Sequence, residues 1–427
     1  MDTAIIALII IGVALVLYIT DFFPVATTSI LAIVAMVVFG VIPFNLAFGG
    51  FAHDMVFLIV GMVIVGNTLF ETGVAQILGK AIIKMSGGNE KLFVVILILV
   101  ATIPAAFLSN TAAAAMMLPV AASAVAASNG KFTKKNTFMV IGIAAVTSGG
   151  LTAVGSTPQI FARGQLEAHG IEPFGFFQLA LAGAPIIVLL LIYYLTIGRS
   201  ILKKASSNED DTAEASITLQ VDEPERKPLK MAITLAVLAF CIVGFITDGF
   251  GETLSLGTIS MIGAIVCIAT KCIGQKRVFA TMDWTTVVVI GASLGLSAGL
   301  AESGAGAMIA EGMVNFLGTD VSPWLLTAGL ALIAVILGNF MSSTATAALL
   351  IPISIEVAFG MGIDVQAVVM AVVVACNISY ATPVSTPPMT MTLSAGYKFV
   401  DYIKFGGLFN LLAYALVVLL FPLILNI

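Results

Sequence analysis

The sequence predicts an all-α polytopic membrane protein of about ten spans, folded as two inverted halves, each with a re-entrant hairpin and a broken helix. Three observations predict it. Of 427 residues, 60% are hydrophobic and only 10% charged, and the mean hydropathy is +1.13. Soluble domains carry roughly a quarter charged residues, which excludes a water-soluble enzyme. Apolar stretches of about 20 residues, the length that crosses hydrocarbon, recur along the chain. Their order then repeats after a charged linker.

The first run, Ala4 to Tyr18, lacks the basic start and small-residue cleavage site of a signal peptide and reads as a span at 3–18. Further spans fall at 24–42, 54–70, 136–154 and 174–197. Between the third and fourth, residues 92–128 are interrupted at Leu108-Ser109-Asn110-Thr111, too polar for one crossing, and read as a re-entrant hairpin. A helix break is expected near 149–158, at Gly155-Ser156-Thr157-Pro158. From Arg199 to Lys230 the apolar period disappears, and 199–230 reads as a solvated cytoplasmic linker. Spans at 231–247, 254–273, 284–301, 365–383 and 403–425 follow, with a second interrupted stretch at 323–362 and a break near 381–390. The halves are thus 1–198 and 231–427.

The halves share words as well as order. Ser109-Asn110-Thr111 and the alanine run to Pro119 are echoed by Ser342-Ser343-Thr344 and the run to Pro352. Gly155-Ser156-Thr157-Pro158 is echoed by Ser385-Thr386-Pro387-Pro388. An odd number of crossings per half inverts the second half, as in secondary transporters. The threading places 17 of the 18 Lys and Arg residues on one face, leaving Arg163 opposite, and the positive-inside rule makes that face cytoplasmic, with both termini outside. This predicts an integral protein of the plasma or inner membrane.

Non-helical backbone at membrane depth is tolerated only inside protein or beside a wet cavity, so the four motifs point to a central cavity. The tips offer hydroxyls, an amide and free carbonyls that suit Na⁺. The helix N-termini at Thr111 and Thr344 turn N–H groups and positive dipole ends toward an anion. No Asp, Glu, Lys, Arg or His lies in the motifs. Glu71, Glu302, Glu311 and Asp364 fall at span ends and Glu356 late in a hairpin arm, read as interfacial, which favours sodium over proton coupling.

Other chemistries carry weaker signals. Cys241, Cys267, Cys272 and Cys376 sit in apolar runs far from His53 and His169, so no disulfide framework or metal site other than one for Na⁺ is expected, and no cofactor. The scattered basic residues form no nucleic-acid stripe. Gly291-Ala292-Ser293-Leu294-Gly295 matches the nucleophile-elbow word. With Gly299 it also makes a stripe of small residues every four positions, which is a packing pattern, and neither histidine is placed to serve as base. No enzyme is expected.

These residues resemble the divalent anion/sodium symporters, the sodium-dependent dicarboxylate and sulfate transporters of the ion transporter superfamily. The resemblance rests on both tips with their runs to Pro119 and Pro352, and on Ala381-Thr382-Pro383-Val384-Ser385-Thr386-Pro387-Pro388 followed by Gly396-Tyr397. It implies a homodimer whose transport domains carry substrate by an elevator movement. It implies sodium at Ser109, Asn110 and Gly155, and again at Ser342, Ser343 and Ser385. It places substrate carboxylates, most readily of a C4-dicarboxylate, between Asn110, Thr111 and Ser156 on one side and Ser343, Thr344, Thr386 and Pro387 on the other. Ser343 stands where the family usually has Asn, and Asn339, one turn earlier, is expected to return an amide to that place. Pro158-Gln159 likewise replaces the family's Pro-Pro-Asn-like continuation. The alternatives are an exchanger or proton-coupled carrier of the same fold, an oxyanion permease, a Na⁺/H⁺ antiporter, or an intramembrane serine hydrolase.

Overall fold

A computed structural model describes residues 2–20, 22–73, 82, 85–127, 132–206, 228–317, 322–383 and 385–425. Linker residues 207–227, the hairpin end at 128, Val384 and the topological markers Lys80, Lys84, Lys131, Arg226 and Lys227 lie outside the described residues.

Every described element is helical. In the first half these are α1 (Thr3–Thr20), α2 (Val25–Val38), α3 (Phe44–Gly49), α4 (Asp54–Glu71), α5 (Glu90–Phe107), α6 (Asn110–Ala127), α7 (Lys134–Gly149), α8 (Thr157–Ala168), α9 (Ala180–Tyr193) and α10 (Arg199–Ser206). In the second they are α11 (Pro228–Ile246), α12 (Leu256–Ala269), α13 (Gln275–Thr281), α14 (Trp284–Ser303), α15 (Ala305–Leu317), α16 (Pro323–Phe340), α17 (Ser343–Met361), α18 (Val365–Cys376), α19 (Pro387–Met391), α20 (Phe399–Tyr402) and α21 (Leu408–Leu425).

Among the described residues, 8 helices are long and apolar enough to cross a membrane. Three of them are the hairpin arms α5, α16 and α17, while the spans expected at 3–18, 24–42, 254–273 and 365–383 are shorter apolar helices. The span expected at 136–154 ends sooner, at Gly149. Nearly every side chain of α7 is buried, including Asn136, Thr137, Thr147 and Ser148. A helix wrapped in protein meets no lipid and need not read as apolar.

Three expectations are corrected. The span at 365–383 stops at Cys376, with Asn377 as its C-cap. The linker does not begin at Arg199, because α9 runs through a π turn at Tyr194–Gly198 into α10. Arg199 is held there by Glu90 at the base of α5, 3.3 Å away, and the same carboxylate accepts from Thr133 N at 3.2 Å and Asn136 Nδ2 at 3.1 Å. Lys230 likewise belongs to α11 rather than the linker. The short helices α3, α13 and α15 had no counterpart in the reading of spans.

The halves match in detail. Gly73 (φ 86°) follows α4 and Gly304 (φ 74°) follows α14, each in the left-handed region that glycine enters freely. Both final helices carry a π turn, although at different places, after α9 at Tyr194–Gly198 and before α21 at Ile403–Gly407. Partners are exchanged between halves: α4 packs on α12 and α2 on α14, α6 on α19 and α17 on α8, α7 on α19 and α18 on α8. Equivalent elements reaching across in both directions is what a twofold relation between the halves requires. The last helices, α9 and α21, pack on each other, where Tyr193 OH donates to Phe405 O at 2.9 Å.

The small-residue stripe of α14 serves this packing. Phe51 lies against Gly291, the Ala47 carbonyl against Gly295 and Met36 against Gly299. Ser293 is buried at 1% exposure and its hydroxyl has no partner among the described residues.

Candidate functional site

Each hairpin turns at its polar word. In the first, α5 ends at Phe107 and α6 starts at Asn110; in the second, α16 ends at Phe340 and α17 starts at Ser343. Ser109 Oγ accepts from Ala112 N at 3.2 Å and Ser342 Oγ from Ala345 N at 3.1 Å. Both hydroxyls therefore cap the second arm of their hairpin, which leaves each oxygen one further lone pair. Ser109 and Thr111 are exposed, Asn110, Ser342 and Thr344 half-buried, and Ser343 buried.

The breaks lie beside the tips of their own halves. Thr152 Oγ1 donates to Ala106 O, and Thr382 Oγ1 donates to Asn339 O at 2.6 Å. Ala106 and Asn339 each lie three residues before their tip serine, and Thr152 and Thr382 each lie three residues before Gly155 and Ser385. One hydroxyl-to-carbonyl bond thus docks each broken segment onto its hairpin. The sequence reading passed over Thr152 and named Thr382 only within its motif, with no role. The signal was present, because Thr-x-Val stands before Gly155 and again before Ser385.

In the first half a cradle of oxygens forms around two glycines. A methyl group on Gly155 would meet Gly149 O and stand 2.9 Å from Ala106 O. One on Gly149 would meet the Asn110 amide and stand 2.9 Å from Gly155 O. The inner side of the Asn110 amide faces only carbonyl oxygens. With its nitrogen inward it donates to Ala145 O at 3.2 Å and Gly155 O at 3.1 Å. The opposite orientation would set the amide oxygen against acceptors only and its nitrogen against donors only, so the lining is a set of carbonyl oxygens gathered on one side-chain donor.

The second half is filled differently. Ser385 is fully buried and its hydroxyl lies 2.7 Å from Ser379 O and 3.1 Å from Thr382 O. Asn339 does return an amide to this place, but the amide oxygen is fully engaged. Its Oδ1 accepts from Ala381 N at 2.8 Å and from Asn410 Nδ2 at 2.9 Å, and its Nδ2 donates to Val335 O at 2.7 Å. Asn410 Oδ1 accepts from Tyr380 N at 3.0 Å.

The halves meet through their broken segments. Ser156 Oγ lies 3.0 Å from Asn377 Oδ1 and also contacts Gln159 Oε1. Thr147 Oγ1 and Tyr380 OH are 2.8 Å apart. Thr147, Gly150, Asn377 and Tyr380 line a small cavity between α7, α18 and α9. Among the described residues two buried donors, Gln159 Nε2 and Thr386 Oγ1, have no partner. Such groups are costly to bury unpaired, and both suit a negatively charged or carbonyl oxygen. Pro387 is exposed. Asn377 and Asn410 escaped the sequence reading because neither belongs to a repeated motif, and Gln159 was noted only as a departure from the family's continuation.

Of the acidic residues, Glu71 pairs with Arg277 at 2.7 Å and Asp364 caps α18 by accepting from Ala367 N at 3.2 Å. Glu356 is half-buried against Gly306 of α15, well along α17 from the tip. Arg163 is buried and donates to Phe174 O at 2.9 Å. His53 and His169 cap helix ends. Around Ser293, Gln165 Nε2 reaches the backbone carbonyl at 3.3 Å, and no base adjoins the hydroxyl among the described residues. A fluorophosphonate probe is therefore expected to leave Ser293 unlabelled; labelling abolished by Ser293→Ala would establish a nucleophile.

The family described as citrate transporter, CitMHS, matches residues 6–375. An uncharacterized transporter of Methanocaldococcus jannaschii is 27% identical over 294 residues, 68% of this chain and 64% of that protein. The sodium-dependent dicarboxylate transporter SdcS of Staphylococcus saprophyticus is 23% identical over 297 residues, 66% of this chain and 57% of that protein. The chain thus aligns with less than two thirds of either relative's length. Among solved structures, MtrF of Neisseria gonorrhoeae, from a class of antimetabolite efflux pumps, superposes with a TM-score of 0.57 at 14% identity, covering 98% of this chain and 95% of that one. That likeness extends to the fold alone.

Proposed function

From the premise that the chain belongs to the citrate transporter family, and so is a secondary transporter and not an enzyme, we propose that it carries a small divalent carboxylate across the membrane, coupled to Na⁺. The observation that carries this reading is the pairing of two chargeless environments. Around Gly149 and Gly155 backbone carbonyl oxygens converge on the Asn110 amide, while Gln159 Nε2 and Thr386 Oγ1 are buried donors without partners among the described residues. Oxygen suits a cation and the unpaired donors suit an anion. A bound cation offsets the charge of the anion, so the two favour each other's binding. The name of the SdcS relative supports the same ion and substrate class.

Substrate contact is assigned to Asn110, Thr111, Ser156, Ser343, Thr344, Thr386 and Pro387, grouped by the packing of α6 on α19 and α17 on α8. Alternating access follows if the hairpins, broken helices and final helices move together past α1–α4 and α11–α14. Gln165 to Ser293 O and Thr157 to Thr286, at 3.3 and 3.4 Å, are then contacts made and broken in the cycle. We take the working unit to be a homodimer in the plasma membrane, with the linker cytoplasmic.

The test is uptake by purified protein in liposomes. Labelled succinate, malate or citrate is expected to accumulate when an inward sodium gradient is imposed and to stay at background in its absence. Uptake indifferent to sodium rejects the coupling, and stimulation by substrate trapped inside favours an exchanger.

A further inference from the structure

We infer that the chain binds a single coupling sodium ion, in the first half only, and that the second half has replaced its ion with internal hydrogen-bond donors. The inference rests on the sodium-coupled reading above and refines it.

The comparison of equivalent positions carries the argument. In the first half the groups lining the cradle are carbonyls and one amide on a rotatable side chain. Gly155 keeps the space open, since a Cβ there would meet Gly149 O and Ala106 O. The inward donor there is the Asn110 side chain, on Ala145 O and Gly155 O, and a side chain can move aside to yield those carbonyls to an ion without moving the backbone.

The second half has lost both properties. Ser385 stands in place of Gly155, and its hydroxyl lies against Ser379 O, the equivalent of Gly149 O, as well as Thr382 O. Ser343 stands in place of Asn110, and the amide is supplied by Asn339, in place of Ala106. The Asn339 oxygen accepts from Asn410 Nδ2 and from a backbone N–H, that of Ala381. A carbonyl oxygen has two lone pairs, and both are used. A backbone N–H does not turn over as a side-chain amide does, so an ion there would face a fixed positive hydrogen. The donors already do what an ion would do, holding Ala381, Thr382 and Ser385 in place beside the hairpin. Asn339 and Asn410 are positioning residues that shape the second half of the substrate site without touching an ion.

The test is equilibrium binding of radioactive sodium to the purified full-length chain, with no substrate needed. Saturable binding of about one ion per chain with a Hill coefficient near 1 is expected, weakened about 10- to 100-fold by Asn110→Ala. Two ions per chain with a Hill coefficient near 2 would overturn the inference and leave sodium coupling standing. One ion retained in Asn110→Ala but lost in Ser342→Ala would also overturn it, by placing the ion in the other half. No saturable binding at all would overturn the sodium-coupled reading itself.

Discussion

Replacing Gly155 by alanine is expected to lower sodium-driven uptake by about a hundredfold, the upper range for disturbing the support of a bound ion. The added methyl would meet Gly149 O and lie 2.9 Å from Ala106 O. Both obstacles are backbone, so neither yields by changing a rotamer. Ala106 O also holds the Thr152 hydroxyl, so relieving the clash pulls on the bond that docks the broken segment to its hairpin. The measurement is initial uptake across a sodium series, with Gly12→Ala as a folding control, since Gly12 has nothing within 4 Å of a new Cβ. Wild-type sodium dependence in the Gly155→Ala variant would show that the ion binds elsewhere.

The second large effect is expected from Asn339→Ala. The substitution strips the acceptor from Ala381 N and Asn410 Nδ2 together. Each buried polar group left unpaired costs about 1–3 kcal/mol, and a fall in melting temperature on the order of 5 °C follows. Because Thr382 Oγ1 bonds the Asn339 backbone carbonyl, the variant retains that one link and should still fold. The released segment carries Ser385 and Thr386, so the substrate KM should rise about tenfold or more while the sodium requirement persists. A loss of sodium dependence at unchanged melting temperature would instead make Asn339 an ion ligand.

These two residues also mark where the sequence was readable. Both hairpin tips and both breaks stood out because hydroxyl and amide groups interrupt long apolar runs, and lipid offers such groups no partner. Helix ends were less legible. Thr147 and Ser148 lie inside α7 because protein surrounds it. Asn377-Ile378-Ser379-Tyr380 reads as a continuation of α18, yet the helix has ended. Whether an isolated polar residue closes a helix or hides within one depends on neighbours supplied by other elements. Thr152 and Thr382 illustrate this: each is one threonine among many until its partner carbonyl, more than forty residues away in the chain, is in place.

The sequence by itself determined the membrane class, the repeated order of elements and the positions of the four interrupted motifs. These follow from local composition and from comparing one half with the other. Only the tertiary structure decided what the motifs do. It gathered carbonyls and the Asn110 amide around Gly149 and Gly155, filled both lone pairs of the Asn339 amide oxygen, and left the Gln159 and Thr386 donors without partners among the described residues. The physical reason is that hydrogen-bond satisfaction belongs to groups in space. Asn410 and Asn339 are 71 residues apart, and no pattern along the chain shows that one asparagine already occupies the other.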